Sequence, residues 1–232
     1  MTEHEFLGIR QSVFANIFKS NDRMKQLQQQ ITGLKKQQEK KLADYDKMDQ
    51  VKEVDAKRAL VQEEYNLSIK AKQNLIKKEE AYIDRAQTYF NYIVAYRSNN
   101  EKDMKIYKEK FLNTIQKQAI EECDNSISLI KQKRITANKL SKYIELNPAL
   151  EQEKEKLVSN EELDKDRMKQ FDLEDEKKMM EDAFKKETPL LTDVLMKNQK
   201  MCMQSPFTSI KEIYPNVREQ VAVREESRGK AA

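Results

Sequence analysis

Three glycines and four prolines in 232 residues, against roughly 7% and 5% in average proteins, leave this chain with almost no material for tight turns. That scarcity argues against sheets and barrels. With glycine only at 8, 33 and 229, no phosphate-cradling loop of the Walker or dinucleotide type can be written. The single histidine, His4, gives neither a Ser-His-Asp nor a Cys-His arrangement its base, and it is too little for a zinc site. Cys123 and Cys202 are far apart and carry no partner motif, which provides no disulfide framework and makes a reducing intracellular compartment the default. Adjacent carboxylates such as Glu63 with Glu64 and Glu121 with Glu122 face about 100° apart on a helix and remain solvated, so acid-base chemistry has no pocket to tune it. No run approaches about 18 consecutive apolar residues. The amino terminus has no basic region followed by an apolar run, and Glu3 and Glu5 count against a transit peptide. The expectation is a soluble or peripheral protein that is not an enzyme and holds no cofactor or metal.

What is present is charge and helical periodicity. Hydrophobic residues make up 38% and charged ones 36%, with 44 basic against 40 acidic side chains, which suits thin assemblies of helices better than a thick core. Apolar residues recur at helical spacing, so wholesale disorder is disfavoured. The predicted class is all-α: elongated, coiled-coil-like long helices with one helical hairpin and short amphipathic helices at both ends.

Residues 1–20 read as an amphipathic docking helix. Phe6, Leu7, Ile9, Val13, Phe14, Ile17 and Phe18 fall within roughly half its circumference, interrupted by Arg10; the plainer alternative is a cap folded onto the protein's own core. Residues 21–97 read as a first long helix. Met24, Leu27, Ile31 and Leu34 form one heptad block, and Ile76, Ile83 and Phe90 form another with Ala86 and Ile93 between. Between the blocks Leu42, Tyr45, Met48, Val51 and Val54 step by three, which predicts a stammer or a change of partner face. No glycine or proline occurs over 34–147. In the aromatic cluster at 82–96, Tyr89, Tyr92 and Tyr96 are candidate partner contacts, although a packed bundle end accounts for them as well. Ser98 followed by Glu101 matches a capping box and predicts a reversal at 98–101, unless "SNNE" is a polar patch in one continuous helix. A second long helix is expected over 100–146.

All four prolines lie beyond 147, so the remainder is segmented. Residues 148–187 read as a charged helical segment. Over 188–232 a short helix opening at Thr188-Pro189 precedes an extended tail, with Leu191, Val194, Leu195, Phe207 and Tyr214 as candidate anchors. Ser205-Pro206 is a candidate proline-directed phosphorylation site.

The net charge is only +4, and the basic stretches at 19–41 and 102–142 lack aromatic interleaving or a recognised motif, which disfavours nucleic acid. The partner-binding candidates are therefore Phe6, Leu7, Val13, Phe14, Ile17 and Phe18 at the start, the three tyrosines in the middle and the five anchors near the end. The function these features predict is a non-catalytic coiled-coil scaffold subunit of a large intracellular assembly, cytoplasmic and most naturally cytoskeletal or ciliary. Its partners would be other helical proteins, with tubulin or a filament surface among them. The alternative is a peripheral membrane-binding module, whose size and helix count are similar to those of BAR-type domains; a methionine-rich adaptor is a third reading.

Overall fold

The computed structural model describes residues 1–48 and 52–186, and every element there is helical: α1 (Glu3–Tyr45), α2 (Lys52–Arg97), α3 (Glu101–Ile144), a single 3-10 turn (Pro148–Leu150), α4 (Glu151–Leu157) and α5 (Asn160–Lys186). Among the described residues no strand occurs, and no helix is long and apolar enough to cross a membrane. The all-α class stands.

The element boundaries differ from those expected. A reciprocal pair of bonds starts α1, with Thr2 N–H donating to Glu5 Oε2 at 2.7 Å and Glu5 N–H to Thr2 Oγ1 at 3.2 Å; this is the capping-box arrangement. The backbone bond to Thr2 holds the Glu5 carboxyl below its ordinary range. The helix then continues past residue 20, so 1–20 is not a module of its own. Turn-prone Ser20, Asn21 and Asp22 stay helical, and Ser20 is fully buried. Conversely, the single helix expected over 21–97 is two. α1 stops at Tyr45, followed by Asp46 N–H to Leu42 O at 3.0 Å and Met48 N–H to Tyr45 O at 3.1 Å. Neither glycine nor proline is used here. Asp44 and Asp46 are poor helix formers set at the negative end of the helix dipole, and Asp46 pairs with Arg58 of α2 at 3.0 Å.

Between α2 and α3, Asn99 takes the left-handed conformation (φ 55). Asn100 N–H donates to Ala95 O at 3.0 Å and Asn99 N–H to Tyr96 O at 3.3 Å, the double closure of a Schellman motif. The expected Ser98–Glu101 box is replaced by a cap two residues later. Ser98 Oγ donates back to the carbonyls of Val94 and Ala95, and Asn100 caps α3 by accepting from Asp103 N–H at 3.2 Å. The charged helical segment expected over 148–187 consists, as far as residue 186, of the 3-10 turn, α4 and α5. Asn147 Oδ1 accepts from Ala149 N–H at 3.1 Å to set the turn at Pro148, while Ser159 Oγ accepts from Glu162 N–H at 3.1 Å to start α5. The short helix and tail expected over 188–232 lie outside the described residues.

The chain forms two compact units. In the first, comprising 1–22, 79–122 and 177–186 among the described residues, α2 and α3 are antiparallel. Ala81 meets Gln118, Asp84 meets Thr114, and the Tyr89 and Phe111 rings lie 6.2 Å apart. α1 is antiparallel to α2, since Phe14 meets Phe90 and Glu3 meets Arg97. Val13, Tyr82, Ala86, Ile93, Phe111, Ile115 and Met180 are buried there; each large side chain fully removed from water contributes about 1.5–3 kcal/mol.

The second unit, 23–78 with 123–176, repeats the antiparallel pattern. Lys72 of α2 meets Gln30 of α1, Asn74 of α2 meets the Asn125 carbonyl of α3, and Lys133 of α3 meets Asp166 of α5. Its core contains Ile31, Tyr65, Ile69, Ile127, Ile130, Leu140, Leu150 and Val158, with Cys123 buried as a small hydrophobe. One carboxylate is enclosed with them. Glu63 accepts from Thr136 Oγ1 at 3.1 Å and from Lys139 Nζ at 2.9 Å, so its buried charge has both a hydrogen bond and a counter-ion.

Candidate interaction surface

The amino-terminal turns of α1 carry more apolar surface than the first unit covers. Phe6 and Phe14 stand two turns apart and both reach Phe90 of α2, with ring centroids at 6.1 Å (stacked) and 5.2 Å (edge-on). Such pairs add about 0.5–1.5 kcal/mol beyond their area. The Arg97 guanidinium lies 4.3 Å over the Phe6 ring and is ion-paired with Glu3, which fastens the start of α1 to the end of α2. On this fastened frame Phe14 remains 51% and Phe18 74% exposed. Leu7, one heptad before Phe14, and Val94, one turn beyond Phe90, are exposed as well. The helical spacing places Leu7, Phe14 and Phe18 in one stripe, and Phe90 joins it to Val94.

Exposed Gln11, Gln87 and Asn91 occupy the intervening surface positions. Arg10 also lies in the stripe, exposed between Phe6 and Phe14 and unpaired among the described residues. Large apolar groups around an arginine, with neutral amides beside them, have the composition of a protein interface.

The candidates chosen from the sequence separate into distinct environments. Phe6, Leu7, Phe14 and Phe18 contribute to this face, Ile17 is half-buried, and Val13 belongs to the core. Tyr89 is buried against Phe111; burial raises its pKa, with Tyr92 adding to the effect. Burial likewise raises Tyr92, which is half-buried, and Tyr96 is 49% exposed. Leu191, Val194, Leu195, Phe207 and Tyr214 lie outside the described residues. Sequence reasoning missed Phe90 and Arg97. Phe90 fits a seven-residue repeat with Ile76 and Ile83, so it reads as seam, and only the return of α1 shows that its ring is the hub of the aromatic contact. Among the described residues no group of three or more His, Cys, Asp or Glu side chains could hold a metal ion. No family model, no curated protein and no solved structure matches this chain.

Proposed function

We propose that the protein is a non-catalytic helical scaffold subunit that joins other helical proteins in a large assembly, with the phenylalanine face of α1 as a docking surface. One observation carries the reading: Phe14 and Phe18 stay largely exposed on a helix that Phe90 and Arg97 already hold in place. The matching partner is an amphipathic helix that fills the stripe with apolar side chains and sets a carboxylate against Arg10. The long helices, antiparallel within each unit, support a filamentous setting, cytoskeletal or ciliary, in which tubulin or a filament surface is the partner.

Exposed phenylalanines also suit a lipid surface, so the membrane module is the competing reading. Pelleting of the purified protein with microtubules and with anionic liposomes at ~0.15 M salt, where long-range charge effects are screened, separates the two. The scaffold reading expects pelleting with microtubules alone, lost in Phe14→Gln/Phe18→Gln while the helical circular dichroism is kept. Pelleting with liposomes alone, abolished by the same variant, would transfer the function to the membrane. Binding to neither would overturn the filament setting.

A further inference from the structure

Most lysines whose contacts are defined face a carboxylate. Lys57 pairs with Glu53 at 2.8 Å, Lys117 with Glu121 at 3.7 Å, Lys133 with Asp166 at 3.1 Å and Lys165 with Glu161 at 2.5 Å. Along the α1 portion of the second unit the pattern changes. Between residues 23 and 41 there are six basic side chains and one acid, Glu39. Lys25, Lys35, Lys36 and Lys40 are all exposed there, and none is ion-paired among the described residues. Lys41 is occupied otherwise, lying 5.2 Å over the Tyr65 ring. Lys25 and Lys36 close the two ends of a shallow recess lined by Gln28, Gln29, Thr32 and Gly33. A Cβ built at Gly33 would meet nothing within 4 Å, so its floor is open to an approaching chain.

We infer that this face of α1 binds an acidic, glutamate-rich segment of a partner protein. The unpaired ammonium groups supply the complementary charge, and the glutamine amides along the recess can both donate to and accept from a peptide backbone. Nucleic acid fits less well, because the recess and its flanking lysines present no aromatic ring on which a base could stack. A membrane fits less well because the same positions carry no apolar side chain to insert. The surface belongs to the second unit and is independent of the phenylalanine face in the first, so either can fail without the other.

Fluorescence anisotropy of the full chain at ~0.15 M salt, with labelled oligoglutamate, oligouridylate and phosphatidylserine-containing vesicles as separate probes, tests the inference. Oligoglutamate should bind, and Lys25→Gln/Lys36→Gln/Lys40→Gln should weaken it by about tenfold, each surface pair adding roughly 0.5 kcal/mol. A control of equal net charge, Lys57→Gln/Lys117→Gln/Lys165→Gln, should leave affinity within about twofold of the parent, and Phe14→Gln/Phe18→Gln should leave it unchanged. Equal weakening by both lysine triples would reduce the effect to net charge and overturn the proposal. Binding of oligouridylate or vesicles without oligoglutamate would also overturn it.

Discussion

Gln118 shows how much one buried polar side chain decides. Its Oε1 accepts from Arg85 Nη1 at 3.0 Å and its Nε2 donates to the Ala81 carbonyl, and both Gln118 and Arg85 are nearly inaccessible to water. A leucine there would match the apolar periodicity of α3 better, yet it would strip a partner from a buried guanidinium. Gln118→Leu is therefore expected to lower unfolding free energy by about 2 kcal/mol, the cost of an unsatisfied buried polar group; a neutral or stabilising result in urea unfolding would show that Arg85 does not depend on it. In the sequence Gln118 is one polar residue among many on a charged helix, and nothing local distinguishes it from a solvated one. Glu63 was misread for the same reason. Its adjacency to Glu64 suggested a solvated pair, whereas the returning α3 encloses it between Thr136 and Lys139.

At the scale of the element, the α2–α3 connection was legible in kind but not in detail. Ser98 and Asn100 each offer a short oxygen-bearing side chain with an acid three residues on, Glu101 and Asp103, so two caps compete in the same six residues. Backbone geometry decides for Asn100, because the left-handed residue that closes α2 is Asn99. Asn99→Gly should retain stability to within a few tenths of a kcal/mol, while Asn99→Val should cost about 1–2 kcal/mol, as a β-branched residue pays the full left-handed penalty; equal stabilities in denaturant titration would count against this closure. The end of α1 was less legible still. A search for glycine or proline passes over 44–48, where two aspartates and the dipole end the helix. The three-residue stepping from Leu42 marks the place, but it predicts a stammer or a change of partner face rather than a helix end.

For the whole molecule, the shifted groups of α2 and α3 act in one direction. Burial raises the phenol pKa of Tyr82 and of Tyr89, with Arg85 partly offsetting the rise at Tyr82, and the hydrogen bond to Glu63 raises the Lys139 ammonium. Each raised group contributes stability that is fully present below its unfolded pKa, about 10 for both residue types, and that is lost as pH rises through the folded value. The unfolding midpoint should therefore hold steady up to about pH 10 and fall beyond it, and Tyr89→Phe, which removes one titrating phenol, should make the fall shallower. Urea midpoints measured from neutral to strongly alkaline pH check this; a flat profile would mean that these side chains meet the same environment folded and unfolded.

The sequence by itself determined the all-helical class, because scarce glycine and proline and a 3.6-residue apolar rhythm act locally and need no partner to be read. It also marked where apolar side chains exceed what one helix face can hide, at Phe6 through Phe18. Only the tertiary structure decided which of those rings turn inward and which stay in water. It separated Val13 from Phe14, made Phe90 a hub and fastened Phe6 under Arg97, and left four lysines of α1 without an acid among the described residues. Those outcomes depend on side chains brought together across dozens of residues by helix reversal, and such pairings carry no signature within a single helical period.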